Sequence, residues 1–530
     1  MVTLLKTLPD NFQSKSFCLA SLMDMLATFP ILQLVKDLSF IGNALHKTSH
    51  GGKDREPDLI EKFASFHMKA DLLEDRRQKK LSILFHRCAL KLLDELLRIN
   101  PIPTALTSKI SPSIEHLFLY ANTLISMLEA EGPSTSMARY SESAKLFYSR
   151  WNIDRVSPLG RARMYKFRNF TQRLHDIGIE IDEYLPAIFS LCAHIENHPF
   201  IELEFPQSLQ SLPLRSRKLI QDNLEILSSP IQNNFFSMNE LEQKLPELYF
   251  TDALCQQKPL IQISNRYYCL QAKLLWTALS ELPFHLLLNN CNQDIKKVRS
   301  LTSDWGYAFE DNFGVLAERA FPKGCRISNL CTKNHPRFKL QKDHHHLGDI
   351  LLAPRKDSRI LIEFKSVQPN QKIKLGDRDA ALSKFIQLDP KGVPQLVRDA
   401  EIYREDASYN GTIYIVLICW GPVPNTKDFD EDLELYLKNL ESYQTYLKNP
   451  KNRPLIYLDA SSAAVLFGAL RQGLPIRTMF KRLAGISPTG VVSLINNAIQ
   501  KYQFTDPIKT LYQEEINEFW QTGVDLLSGQ

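Results

Sequence analysis

The spacing of apolar residues changes once along this chain, and that change limits the fold more than any other feature of the sequence. Up to about Glu281 the apolar positions recur mainly at intervals of three and four, as in Leu81, Leu84, Phe85, Cys88, Ala89, Leu92, Leu93 and Leu96. That is the period of helices burying one stripe. After Ser300, helical stretches alternate with short runs of Ile, Leu, Val and Phe, the pattern of strands covered on both faces. With 530 residues the chain exceeds what one ordinary core accommodates. The expected fold is multidomain: a mostly α-helical N-terminal half over residues 1–235, a connector over 236–299, and an α/β domain over 300–530.

The connector pairs the polar helix MNELEQKL with PLIQISNRYYCL, two strand-like runs around Ser264, Asn265 and Arg266. Helices followed by a hairpin fit either a winged-helix-like unit or a plain hairpin between domains. In the α/β part, Ser303 or Asp304 is placed to cap a helix carrying Trp305, Phe309, Phe313, Leu316 and Ala320. Strands are expected at 348–353 and 360–367, a helix at 393–404, then the strands TIYIVLICW and PLIYLDA and terminal helices.

Composition narrows the class without choosing a partner. Lys and Arg number 64 against 59 Asp and Glu, a formal charge of +5, too small to demand a polyanion. The nine cysteines form no C-x-x-C pair and several sit in apolar runs, which points to a reducing, cytoplasmic setting with buried thiols. The apolar stretch 17–35 is broken by Asp24 and Pro30 and reads as core helices, neither signal peptide nor membrane span. No phosphate-binding G-x-x-x-x-G-K-[ST] loop, G-x-S-x-G or H-E-x-x-H is present.

The chemistry concentrates in GDILLAPRKDSRILIEFKSV. Asp349 heads one strand, PRKDSR turns the chain, and Glu363 and Lys365 return on the next. Side chains two apart on a strand share a face, so Glu363 and Lys365 point together while Phe364 points into the core. Pairing Ala353 with Ile360 sets Asp349 opposite Phe364, beside both charges. Charged groups in strands otherwise built of Ile, Leu and Phe lose hydration without return unless they are paired or hold a metal. Two converging carboxylates suit a hard, octahedral cation such as Mg²⁺ or Mn²⁺. A second E-x-K, Glu242-Gln243-Lys244, lies in an amphipathic helix and reads as a solvated face.

This run resembles the PD-(D/E)XK, or restriction-endonuclease-like, superfamily. The resemblance covers about residues 300–459 and implies a mixed central sheet flanked by helices. It matches Asp349 to the motif Asp, Glu363 to the acidic residue and Lys365 to the Lys. Glu310 in GYAFED resembles the family's upstream helix Glu, which binds metal or orients the ligands, and Gln395 resembles its downstream polar residue. The implied metal ligands are Asp349, Glu363 and Glu310. Gly348 replaces the name-giving Pro, and Tyr403 stands eight residues past Gln395, which leaves the subfamily open.

The resemblance implies a Mg²⁺- or Mn²⁺-dependent nuclease acting on nucleic acid, DNA in preference to RNA, in settings such as defence, repair or transposition. The alternative is a non-catalytic nucleic-acid-binding or interaction protein that keeps the fold. The helical half would recognise substrate or a protein partner, or form a homodimer. Lys339, Lys342, Lys372, Lys374 and Arg378 flank the motif and could meet phosphates. Cys325, Cys331, His335 and His344 to His346 lack the paired spacing of structural zinc sites.

Overall fold

A computed structural model of the chain describes residues 3–5, 7–8, 14–49, 56–77, 81–85, 87–99, 113–130, 158–186, 202–203, 218, 221–222, 224–230, 236–250, 258–263, 266–292, 294–321, 326–327, 349–366, 377–387, 392–406, 408–421 and 427–528. The chain is mostly helical, with small mixed sheets, and divides into two compact units. The first comprises residues 1–138, 182–282 and 519–530; the second comprises 139–181 and 283–518. Each unit is assembled from separated stretches, whereas a division at 235 and 299 is linear.

In the first unit, helices α1 (Lys15–Thr28), α2 (Ile31–Ser49), α3 (Arg87–Arg98), α4 (Ile114–Ala130) and α5 (Met238–Phe250) share one core. Of the helical stripe anticipated from Leu81 to Leu96, Leu84 through Leu96 are buried in it with Leu22, Leu38, Phe118 and Leu245, but the helix begins only at Arg87 and Leu81 falls in a short strand, Leu81–Ile83. The strands Leu260–Ile263 and Arg266–Cys269 form the expected hairpin. It lies at the centre of a four-stranded sheet, and its Ile261 and Tyr268 join the same core as α1 to α5. Hairpin and helices are therefore parts of one hydrophobic body.

Arg98 ties α3 to that sheet. Its Nε lies 2.7 Å from Asp94 Oδ1, and its Nη1 donates to Ser229 Oγ and the Lys258 carbonyl, both at 2.7 Å. Both side chains are only 1% exposed, so the ion pair must be held by these bonds to offset its lost hydration.

Among the described residues no single helix is long and apolar enough to cross a membrane. Lys15–Thr28 with Ile31–Gly42 meets the composition as a pair but bends by 113°, and most of its apolar residues, Leu19, Leu22, Leu26, Leu34 and Leu38 among them, are core residues. The described cysteines 18, 88, 269, 291 and 419 form no disulfide and are buried.

The second unit is built on a five-stranded sheet. Its strands are β1 (Arg326–Ile327), β2 (Ile350–Arg355), β3 (Ser358–Lys365), β4 (Thr412–Cys419) and β5 (Ile456–Asp459), in spatial order β5-β4-β3-β2-β1. β3, β4 and β5 run parallel, while β1 and β2 are antiparallel to their neighbours. Helix α6 (Ile295–Ala320) covers one face and α7 (Val393–Asp406) the other. On the α6 face Phe364 packs against Phe309 and Phe313, with ring centroids 5.8 and 5.5 Å apart. On the α7 face Leu351, Leu361, Ile415 and Leu417 pack with Leu396, Val397, Ala400 and Tyr403.

Two local expectations need correction. α6 begins at Ile295 and not near Ser303, because the Asp294 carboxylate caps it, accepting from the backbone N–H groups of Lys296 at 2.9 Å and Lys297 at 3.3 Å. The β2–β3 ladder pairs Ile350 with Ile362 and Leu352 with Ile360, so Ala353 does not face Ile360. At the turn Arg355 faces Ser358, and an irregularity between Leu352 and Arg355 shifts the register by one residue.

Candidate active site

Strand alternation sets the site. Leu361 belongs to the α7 face and Phe364 to the α6 face, so Glu363 and Lys365 emerge beside α7 near the C-terminal end of β3. Asp349 stands immediately before β2. Its N–H donates to the Ile362 carbonyl at 2.9 Å, and its Oδ2 accepts from the Phe364 N–H at 2.6 Å. Those two bonds straddle Glu363 and hold the Asp349 carboxylate beside it.

Glu363 is 2% exposed, and its Oε1 accepts from the Lys365 ammonium. Its Oε2 is buried with no hydrogen-bond partner among the described residues. A bare buried carboxylate oxygen is costly. Burial, followed by the charge of Asp349, pushes Glu363 up to about 8 despite the Lys365 ammonium. Asp349 is raised to about 7, first by burial and then by Glu310. Glu310, on α6, is likewise raised to about 7 by burial and Glu363, with Lys365 and Arg168 opposing. Arg168 is held there by Asp311, 2.6 Å from its Nε.

Gly306 explains how α6 comes so close. A Cβ on it would lie 3.0 Å from Ser366 Oγ, so the bare backbone lets the helix rest against the residue after Lys365. Glu310 follows one turn later.

Four of the five residues singled out in the sequence, Asp349, Glu363, Lys365 and Glu310, thus act on one another. Gln395 lies half-buried in the first turn of α7. One turn further, Asp399 is fully buried and its charge raises both Asp349 and Glu363. Asp399 was not anticipated. Its signal was a carboxylate one helical turn after Gln395, among the apolar positions 396, 397 and 400. Tyr403 has a structural task, since its hydroxyl accepts from Arg359 Nε at 2.8 Å.

Arg378 is engaged by Asp432, with Nε 3.0 Å from Oδ2, and is not an open phosphate contact. Lys339, Lys342, Lys372 and Lys374 lie outside the described residues, as do Gly348, Cys325, Cys331, His335 and His344 to His346. Glu242 and Lys244 sit on α5, Glu242 half-buried and Lys244 exposed with its Nζ 5.2 Å from the Phe236 ring centroid.

Among the described residues no three His, Cys, Asp or Glu side chains converge closely enough to share one metal ion. The acids press on each other electrostatically, and Lys365 supplies the positive charge at Glu363. The donor set is nevertheless all oxygen, and the bare Glu363 Oε2 is a free ligand atom, which fits a hard cation better than a soft one. No protein-family model matches the chain, and no significant match exists among curated proteins or solved structures.

Proposed function

We propose that this protein is a metal-dependent nuclease hydrolysing phosphodiester bonds, DNA in preference to RNA, on a restriction-endonuclease-like α/β domain. The observation that carries the reading is the Glu363 carboxylate, buried with one oxygen on Lys365 and the other bare, amid acids that raise its proton affinity. Buried carboxyls that shift one another beside a lysine are the arrangement by which reactive sites tune their acids.

Asp349, Glu363 and Glu310 are the groups that would hold Mg²⁺ or Mn²⁺. When bound, the ion would polarise a phosphoryl oxygen and make a bound water more acidic. The chain's own contributions follow from its geometry. The Phe364 N–H fixes Asp349, Asp399 keeps the site's charge negative enough to favour a cation, and Lys365 orients the attacking water or offsets charge on the phosphoryl oxygens. Gln395, at the mouth of α7, is assigned to substrate or water contact.

One observation favours a second reading. Because no three acids converge, the cluster could serve a non-catalytic nucleic-acid-binding protein in which Lys365 permanently neutralises Glu363. The two readings separate on cleavage of plasmid, linear duplex, single-stranded DNA and RNA with Mg²⁺, Mn²⁺ or EDTA. The nuclease cuts only with metal; the binding protein cuts under no condition.

A further inference from the structure

Helix α6 carries four aromatic residues, and Trp305, Phe309 and Phe313 are buried. Tyr307 is the exception, with 49% of its surface open to solvent. It follows Gly306, where α6 rests against Ser366. It also stands three residues before Glu310, so Tyr307 and Glu310 are neighbours on the helix surface. The exposed ring therefore lies on the rim of the carboxylate site.

A single exposed ring needs no function, but this one is braced. The turn between Pro158–Met164 and Phe170–His175 carries Arg168 with φ +54°, a left-handed conformation that bulky side chains rarely adopt. In that conformation the guanidinium carbon lies 5.4 Å from the Tyr307 ring centroid. Asp311 grips the same guanidinium with two bonds, Oδ2 2.6 Å from Nε and Oδ1 3.1 Å from Nη2. The segment is fastened to α6 one turn earlier as well. Arg173 pairs with Asp304 and donates to Ser300 Oγ at 3.1 Å, and Tyr165 and Phe170 each pack on Trp305 with centroids 5.5 Å apart.

The charges around Tyr307 are thus engaged. Asp304 meets Arg173, Asp311 meets Arg168, and Glu310 acts on the carboxylate site. Arg168 is a brace for the ring and not an open phosphate contact. A ring already held in place loses little freedom when a flat partner stacks on it, and a nucleobase is a flat partner.

We infer that Tyr307 is the stacking platform for a nucleobase of the strand cut at the carboxylate site, so that the substrate is a single strand or is unpaired at that nucleotide. A base inside a duplex has its faces covered by its neighbours, whereas an unpaired base offers one to an aromatic side chain. Because every base has such a face, the platform selects for strand state and not for sequence. The inference rests on the nuclease reading, which supplies the nucleic acid, and adds to it the class of substrate.

The test titrates the full-length protein, in Ca²⁺ to screen the acids, into single-stranded DNA oligonucleotides carrying 2-aminopurine, whose fluorescence falls when it stacks. Tyr307→Ala should weaken single-strand binding roughly 5- to 100-fold and abolish the quenching. Tyr307→Trp should keep both, and neither substitution should alter binding of blunt duplex. Thermal unfolding of the three proteins should coincide, because the ring is half open to solvent. The inference is overturned if the Ala variant binds and quenches like the wild type, or if the Ala and Trp variants lose binding alike. It is overturned equally if the wild type binds no single strand or prefers blunt duplex. Cleavage in Mg²⁺ is followed in parallel. Single-strand binding that depends on Tyr307, with no cutting, would leave the platform standing and remove the nuclease reading; cutting whose KM ignores Tyr307→Ala would do the reverse.

Discussion

Glu363 concentrates the tension of the site in one side chain. It is buried among other acids, raised from 4.5 to about 8, and half-satisfied by Lys365. A carboxyl raised in this way keeps its proton in the folded chain where the unfolded chain has lost it. It therefore supports the fold at low pH and withdraws that support as the pH climbs from about 4.5 through about 8. Thermal unfolding in EDTA should accordingly show a lower Tm at pH 8 than at pH 5.5. Glu363→Gln, which mimics the protonated acid, should lift the pH 8 value by several degrees, for a penalty on the order of a few kcal/mol. Mg²⁺ should recover part of the same loss in the wild type. A flat Tm profile, unchanged by the Gln variant, would mean that Glu363 is not under the strain described.

Asp399 adds a kinetic counterpart. Its charge raises Asp349 and Glu363, so Asp399→Asn should let both ionise at lower pH and move the acid limb of the cleavage profile downward. An acid limb that stays in place would remove Asp399 from the site.

The sheet shows what strand alternation makes legible and what it leaves hidden. Alternation alone puts Glu363 and Lys365 on one face and Phe364 on the other, and Phe364 does pack on Phe309 and Phe313. Phe364→Ala should cost about 3–5 kcal/mol, read by denaturant unfolding. The one-residue shift near the turn was not legible, because an irregularity depends on local backbone geometry and not on side-chain pattern. The start of α6 was missed for a different reason: 295–301 is polar enough to pass for a loop until Asp294 is recognised as its cap. Asp399 stayed hidden because its importance depends on α7 lying over the carboxylates, a tertiary fact.

In the first unit the Arg98 link between α3 and the sheet makes a separate prediction. Arg98→Ala leaves Asp94 buried beside an empty site and should destabilise by about 3–5 kcal/mol, measured by urea unfolding. A change below ~1 kcal/mol would show that water replaces the guanidinium.

The molecule combines a mostly helical unit, which also holds a four-stranded sheet, and an α/β unit, each assembled from separated stretches of the chain. Helical and strand periods announced both kinds of structure, but the interleaving could not be read from local pattern, since it depends on which distant segments share a core. Among the terminal helices, periodicity likewise could not reveal that the turn at Gly485, with φ +78°, passes close to Pro454.

The nuclease reading stands or falls on Lys365. Supercoiled plasmid is incubated with Mg²⁺ and either the wild type or Lys365→Ala, with equal folding verified by circular dichroism. Cutting by the wild type that needs Mg²⁺ and falls about 10²-fold or more in the variant would bear out the catalytic assignment. Equal cutting by the two proteins, or a wild type that leaves every nucleic acid intact, would contradict it.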